Sequence, residues 1–297
     1  MKKYQLFTGY VFLILIVILD TSFSQSWGKS GRNENEIIIR VAAGQFRVET
    51  DLNANVVNIS NMLKQAAQDD VDIIVFPECG LTGYPPRDKD ELDYVVQEKT
   101  EEALKGLQQQ ARKYDIAMAI GAAWKETDGL WKNRAFFITE DGKIVGHYDK
   151  VHNTNFEKKF FMNGTKLPVF NWRGIKVGLL ICADMRYPEV WRLLRKDDVH
   201  LVLHCAAAFG NSEWKVPVLE GTLRCRAAEN GYHIVSCNNA GPIPMMVSAI
   251  YNPDGLVLAK ANYAMNELIV ANIDVSILKG FIHYNENVYE LIKTTKR

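Results

Sequence analysis

Residues 176–194 read KVGLLICADMRYPEVWRLL, and the pattern of this stretch decides the fold. The apolar run from Lys176 to Ile181 is typical of a β-strand that is buried on both faces. Pro188 and Glu189 then suit the first turn of an α-helix, and basic residues follow near its predicted end, as the helix dipole favours. Cys182 is therefore predicted at the carboxyl end of a buried strand, just before a helix, where open α/β sheets bind their ligands.

Cys182 has two possible roles at this position. Free cysteine is among the most buried residue types, so Cys182 could be an ordinary core residue. A helix amino terminus lowers the pKa of a nearby thiol, and the thiolate is the reactive form, so Cys182 could instead be a nucleophile. This stretch alone leaves both roles open.

The rest of the chain alternates strand-like apolar runs with helical patterns. Residues 37–46 (IIIRVAAGQF), a helix and residues 69–80 (DDVDIIVFPECG) have a counterpart later in the chain. Residues 175–184 (IKVGLLICAD), a helix and residues 197–210 (DDVHLVLHCAAAFG) repeat the same pattern. The repetition predicts two related strand–helix–strand halves. Helices covering such sheets form a layered α/β sandwich.

The first 24 residues have the pattern of a signal peptide. Two lysines precede an apolar run at 10–19, and Ser22 and Ser24 are spaced for cleavage after residue 24. The run is shorter than the about 20 apolar residues of a membrane span, although an uncleaved anchor is the alternative. We expect a protein exported to the periplasm or the exterior, whose only membrane contact would be an uncleaved N-terminal segment. Residues 25–297 then form one domain.

Charge and residue spacing exclude several classes of partner. The chain has 35 basic and 35 acidic residues and no basic stripe, so a nucleic acid is not an expected partner. Its six histidines and five cysteines show no metal-ligand spacing, so we expect neither a metal nor another cofactor. The odd number of cysteines leaves at least one unpaired in a monomer, and a disulfide between others stays open.

Three reactive residues stand at the ends of apolar strands. Glu78 ends DIIVFPE, Lys150 ends GKIVGHYDK and Cys182 ends KVGLLIC. Separately they could be a loop carboxylate, a solvated lysine and a core cysteine, or the first two could form an ion pair. Together they supply a base, an electrostatic stabiliser and a nucleophile for acyl transfer from an amide. The backbone N–H of Ala183 would be a second donor to the oxyanion.

The sequence around these residues resembles a known family. The blocks at 76–84 (FPECGLTGY), 148–152 (YDKVH) and 182–189 (CADMRYPE) are similar to the three signature blocks of the nitrilase, or carbon–nitrogen hydrolase, superfamily. They occur in the family's order and at similar intervals. The resemblance implies a four-layer αββα sandwich with two pseudo-symmetric halves, which commonly assembles into homo-oligomers.

The resemblance also implies roles for individual residues. Glu78, Lys150 and Cys182 match the family's Glu–Lys–Cys triad. Glu157 matches a second glutamate in the family's E-x-x-x-F-x-x-G stretch, which positions the lysine and the substrate.

Further candidates surround the triad. Tyr84 could line the mouth of the substrate pocket or pack beside the two prolines that follow it. Arg186 could brace the loop after Cys182 or bind a substrate carboxylate through two hydrogen bonds. His152 is expected to pack or form hydrogen bonds rather than act as a base.

These observations predict an exported thiol amidohydrolase. Its partner would be a small linear amide or an N-carbamoyl compound, whose carbonyl Cys182 attacks to form a thioester, with release of ammonia or an amine. A nitrilase or an acyltransferase using the same thioester chemistry is one alternative. A catalytically silent binding module is the other.

Overall fold

The computed structural model describes residues 36–86 and 91–276. The signal peptide predicted at 1–24 lies outside these ranges. Within them, no helix combines the length and the apolar character needed to cross a membrane.

The strands of the described ranges form two six-stranded sheets. The first sheet contains β1 (Ile38–Gln45), β2 (Ile73–Val75), β3 (Ala117–Lys125), β4 (Trp131–Ile138), β5 (Ile144–Asp149) and β12 (Glu267–Asp274). The second contains β6 (Val169–Trp172), β7 (Ile175–Ile181), β8 (Leu201–Ala206), β9 (His233–Asn238), β10 (Ala249–Tyr251) and β11 (Val257–Lys260).

The two sheets have the same internal order. The first runs β12-β1-β2-β3-β4-β5 and the second runs β6-β7-β8-β9-β10-β11. In each sheet three central strands are parallel, one antiparallel strand lies on one side, and two antiparallel strands lie on the other. The predicted pseudo-symmetry of two halves is therefore present in the strand topology.

Helices cover the outer face of each sheet. Helices α1 (Leu52–Gln68) and α2 (Gln97–Tyr114) cover the first sheet, and α3 (Pro188–Lys196) and α4 (Val216–Asn230) cover the second. Helix α3 begins at the proline that the sequence predicted, because proline fits the first helical position without losing a hydrogen bond. The layers are helix, sheet, sheet and helix, which confirms the αββα sandwich.

The core follows from the alternation of side chains along the strands. In β2, Ile73 and Val75 face the second sheet, whereas Ile74 packs under the helices of the first. Every residue of β8 is buried, because the second sheet is covered on both faces.

Gly121 on β3 allows the turn after β2 to lie directly against the first sheet. A Cβ atom at this position would be 2.5 Å from the backbone nitrogen of Cys79 and 2.9 Å from the Cα atom of Glu78. Both are closer than ordinary van der Waals contact. A residue without a side chain is therefore needed where the strand passes Glu78.

Candidate active site

The candidate site lies at the carboxyl ends of strands from both sheets. Glu78 follows β2 after a short connection, and Lys150 comes directly after β5. Cys182 comes directly after β7 in the second sheet. The backbone N–H of Glu78 donates to the carbonyl of Ala206 at the end of β8 (3.3 Å), which joins the two sheets at this point. The thiol of Cys182 lies within electrostatic reach of Glu78 and Lys150, so the structure brings the three residues together.

Lys150 is held between two carboxylates in a fully buried cluster. Its Nζ donates to Oε1 of Glu78 and to Oε1 of Glu157, at 2.6 Å each. The side chains of all three residues have no exposed surface. Oε2 of Glu157 accepts from the backbone N–H of Thr154 (2.7 Å), which fixes the second glutamate in its turn. The structure thus places Glu157 against the lysine, where the resemblance put it.

Asn133 on β4 completes this cluster. Its Nδ2 donates to Oε1 of Glu78 (2.7 Å) and to Oε1 of Glu157 (3.1 Å). By contrast, Oε2 of Glu78 is buried and has no hydrogen-bond partner among the described residues. A buried carboxylate oxygen without a donor is costly, and such atoms mark functional sites. This oxygen is available to take a proton.

The two glutamates differ in basicity. Burial raises the pKa of Glu78 above the usual range of a carboxyl group, an effect that Lys150 offsets only in part and Glu157 reinforces. Burial would also raise the pKa of Glu157, but the charge of Lys150 and several hydrogen bonds outweigh it and hold that pKa below its usual range. Burial alone would lower the pKa of Lys150, yet the negative charges around it keep it well above the ordinary value. Lys150 and Glu157 therefore stay charged, and Glu78 is the group that can accept a proton.

The thiol of Cys182 keeps its proton in the resting site. Burial raises its pKa, Glu78 raises it further, and Lys150 and a backbone hydrogen bond from Ala207 offset only part of the rise. The expectation that an adjacent helix amino terminus would ionise Cys182 is therefore wrong. The residues that follow form a 3-10 turn, and α3 starts only after it. A base would consequently have to remove this proton before the sulfur could act as a nucleophile.

The backbone of Cys182 is strained and braced by a buried histidine. Its φ of +41° lies in the left-handed region that residues with a side chain rarely adopt. The carbonyl of Cys182 accepts from Nε2 of His204 (3.1 Å), and Nδ1 of His204 lies 2.8 Å from the hydroxyl of Ser236. A carbonyl only accepts, so Nε2 carries the hydrogen and Nδ1 accepts from the serine. Burial lowers the pKa of His204 to about 4, so the ring is neutral near pH 7.

Asp184 joins the turn after β7 to the end of β5. Its buried carboxylate accepts from the backbone N–H of Ile181 (3.0 Å) and from the hydroxyl of Tyr148 (2.8 Å). It also accepts from the backbone N–H of His152 (3.1 Å) and lies 2.9 Å from Nδ1 of that ring. Tyr148 and His152 stand on either side of Lys150 in the sequence. Asp184 therefore fixes the turn that carries Cys182 against the segment that carries Lys150, and His152 forms hydrogen bonds as expected.

The remaining predicted site residues, Tyr84, Ala183 and Arg186, differ in how close they lie to the cluster and in how exposed they are. Tyr84 is partly buried, and burial together with the negative charge of the glutamates raises the pKa of its phenol, which places it beside the cluster. Its ring stacks on Phe156 (6.3 Å between centroids) and meets Phe209 edge-on (5.6 Å). Ala183 is buried next to Cys182, whereas Arg186 is exposed. Binding of a substrate carboxylate by Arg186 stays a prediction.

The sequence interpretation missed several of these residues. Asn133 had a detectable signal, because an amide stands on the face of β4 that otherwise buries apolar side chains between the sheets. His204 and Asp184 are polar residues within or beside buried runs, which is a weaker signal of the same kind. Phe156 and Phe209 had none, because aromatic residues fit an ordinary core equally well.

The described residues contain no candidate metal site and no disulfide. No group of histidine, cysteine or acidic side chains within them could hold a metal ion. All five cysteines are free, and Cys225 is the exposed one among them. The disulfide that the sequence left open is not formed.

Comparison with known proteins shows the family to which the chain belongs. The family model described as carbon-nitrogen hydrolase matches residues 40–281. An (R)-stereoselective amidase from Pseudomonas sp is 31% identical over 211 residues, which cover 70% of this chain and 71% of the amidase.

Solved structures show the same architecture. The structure of an amidase from Nesterenkonia sp. has a TM-score of 0.74 at 24% identity, and the match covers 86% of this chain and 96% of that chain. A structure of the amidase from Nesterenkonia sp. AN1 shows the result of Michael addition of acrylamide at its active-site cysteine. That chain has a TM-score of 0.69 at 26% identity, with coverage of 78% of this chain and 92% of its own. The family match over most of the sequence, together with the amidase relative, shows that this chain belongs to the carbon-nitrogen hydrolase family.

Proposed function

We propose that the protein is a thiol amidohydrolase that cleaves the C–N bond of a small linear amide or N-carbamoyl compound. The observation that carries the proposal is the unequal use of the two oxygens of Glu78. Oε1 accepts from Lys150 and Asn133, whereas the buried Oε2 has no partner among the described residues. A protonated nucleophile beside a free, basic carboxylate oxygen is the arrangement that nucleophilic catalysis requires.

The first half of the reaction forms a thioester. Glu78 Oε2 takes the proton of the Cys182 thiol while the sulfur attacks the carbonyl carbon, and the C=O electron pair moves onto oxygen. The ammonium of Lys150 stabilises that developing charge. The pair then returns, the C–N bond breaks, and the proton held by Glu78 goes to the departing nitrogen. Ammonia or an amine leaves, and the acyl group stays on sulfur.

The second half returns the enzyme to its starting state. Glu78, again a carboxylate, takes a proton from water as the water oxygen attacks the thioester carbonyl. The tetrahedral intermediate collapses, the C–S bond breaks, and Glu78 returns the proton to the Cys182 sulfur. The acid product leaves, so each turnover consumes one amide and one water.

The test is ammonia release from a panel of small amides, N-carbamoyl compounds and nitriles. The purified protein would be compared with Cys182→Ala, and intact-mass measurements would look for the acyl adduct on the protein. Cys225→Ala is the matched control, because it removes the exposed cysteine on α4. We expect turnover and an adduct that disappear in Cys182→Ala and persist in Cys225→Ala.

The panel also separates the proposed hydrolase from a nitrilase and from a silent binding module. Turnover restricted to nitriles would replace the proposal with a nitrilase. Absence of turnover, adduct and labelling of Cys182 across the whole panel would favour a silent binding module.

We further propose that the protein is exported and assembles with copies of itself. Support for export is the charged, apolar and small-residue pattern of the first 24 residues. Mass spectrometry of the protein recovered from each cell fraction would find a chain that starts at Gln25 outside the cytoplasm. An intact Met1 confined to the cytoplasm would contradict export. A monomeric mass by analytical ultracentrifugation would contradict assembly.

A further inference from the structure

Four buried groups form a closed ring of hydrogen bonds at the base of the site. Lys150 Nζ and Asn133 Nδ2 both donate to Oε1 of Glu78 and to Oε1 of Glu157. Two donors therefore bridge the same two oxygens, and only one of the donors carries a charge. The ring holds two carboxylates together with a single ammonium to neutralise them.

The orientation of Asn133 is fixed by its other contacts. Ionised carboxylates only accept hydrogen bonds, so the amide nitrogen must face them. Its Oδ1 lies 3.7 Å from the sulfur of Cys79, whose thiol keeps its proton because burial and Glu78 raise its pKa. The backbone carbonyl of Asn133 accepts from the N–H of Lys150 (2.9 Å). One residue thus contacts the lysine through its backbone and both glutamates through its side chain.

We propose that Asn133 is a positioning residue of the site, which bridges the two glutamates, keeps Glu78 ionised and leaves its Oε2 free to act as the base. The proposal rests on the hydrolase function proposed above. The ring occupies Oε1 of Glu78 twice, so the remaining oxygen is the one directed to the reaction.

The electrostatic consequence can be measured. The titratable groups that act on Glu78 or are acted on by it include Lys150, Glu157, Tyr84 and three cysteines, Cys79, Cys182 and Cys205. Without the neutral amide, the two carboxylates would share the ammonium alone and repel one another more strongly. The protonated form of Glu78 would then be favoured to a higher pH. Because the reaction needs the ionised form, the acid limb of the pH profile would move upward.

The experiment compares Asn133→Leu with the unchanged protein in the pH dependence of kcat/KM. Leucine keeps most of the volume and removes the donor. We expect the acid limb to rise by about one pH unit, the equivalent of one charge-assisted hydrogen bond. Activity at pH 6 would fall about tenfold, and the two profiles would converge toward pH 9.

Asn153→Leu is the matched control. Asn153 is also a buried asparagine, but it donates to the carbonyl of Phe161 (3.1 Å) and the side chain of Asn163 (3.0 Å) rather than to the glutamates. Its substitution should lower stability without moving the acid limb. If Asn133→Leu does not fold, Asn133→Ala removes the same donor with a smaller side chain that cannot clash with its neighbours. An unmoved acid limb in a folded Asn133 variant, or an equal loss of activity at every pH, would overturn the proposal.

A second measurement separates this proposal from the proposed function. The rate at which iodoacetamide alkylates Cys182 also depends on transfer of its proton to Glu78 and needs no substrate. If the unchanged protein releases no ammonia from any compound, the hydrolase function fails, but the alkylation profile still tests Asn133. The same upward shift would support its role, and superimposable profiles would refute it.

Discussion

Replacing Gly121 with alanine should lower activity by displacing Glu78, although Gly121 itself is not one of the candidate site residues. The added Cβ would lie 2.5 Å from the backbone nitrogen of Cys79, 2.8 Å from the carbonyl oxygen of Pro77 and 2.9 Å from the Cα atom of Glu78. All three are backbone atoms, so no side chain can rotate to make room. Ordinary contact begins at 3.4 Å, and the turn or the strand must therefore move by about 0.9 Å.

The turn has little freedom to make that movement. The N–H groups of Phe76 and Leu81 donate to the β3 carbonyls of Ala119 and Gly121, both at 2.9 Å. Cys79, between them, already has a left-handed φ of +49°. We therefore expect kcat/KM for ammonia release to fall by about 100-fold, the typical cost of a misplacement near 1 Å. Overpacking should lower the free energy of unfolding by about 1–3 kcal/mol.

The assay is the initial rate of ammonia release, with urea unfolding measured on the same samples. Gly106→Ala is the control, because a Cβ at that position on α2 meets no atom within 4 Å. It should keep full activity and gain about 0.5–1 kcal/mol of stability, since alanine suits a helix interior better than glycine. If Gly121→Ala matches Gly106→Ala in kcat/KM, close packing of β3 against the turn does not position Glu78.

Three further outcomes follow from the site. Asp184→Ala would leave several buried donors unpaired, so urea unfolding should show a loss of about 3 kcal/mol, and a loss below about 1 kcal/mol would contradict the bracing role. Because burial raises the pKa of Glu78, kcat/KM should fall as pH drops through an acid limb above the range of an exposed carboxyl group; a profile flat down to pH 5 would exclude Glu78 as the base. Phe209 meets the ring of Tyr84 edge-on, and if these two rings bind the acyl chain of the substrate, Phe209→Ala should lower the ratio of kcat/KM for butyramide over acetamide by about tenfold; an unchanged ratio would place the acyl group elsewhere.

Local sequence patterns predicted the parts of the molecule that depend on neighbours along the chain. Periodicity placed Glu78, Lys150 and Cys182 at strand ends, and the position of Pro188 gave the start of α3. The short strand β6 was missed, because its four residues mix apolar side chains with an asparagine and lie at a sheet edge.

Features that depend on distant segments could not be predicted in this way. Asn133 reaches Glu78 across 55 positions of sequence, and Asp184 reaches Tyr148 across 36. The protonation state of Cys182 likewise depends on residues that are distant in the sequence. A local rule favoured the thiolate, but burial by the whole fold outweighs it and raises the pKa.

Because the candidate site is divided between two sheets, heat should abolish activity at a lower temperature than it unfolds the protein. The first sheet supplies Glu78 and Lys150, the second supplies Cys182, and an apolar core joins them. Apolar contact is not directional, so the alignment of the sheets depends on the hydrogen bonds between them, such as the one from Tyr148 to Asp184. Once heat breaks these bonds, one sheet can slide slightly over the other at small cost in buried area. The chemistry tolerates no such slide, since the reacting groups must stay aligned to within about 1 Å. On heating, the rate of ammonia release would thus decline at temperatures where the circular dichroism signal of both sheets is unchanged. Turnover would therefore report the alignment of the two halves more sensitively than secondary structure does.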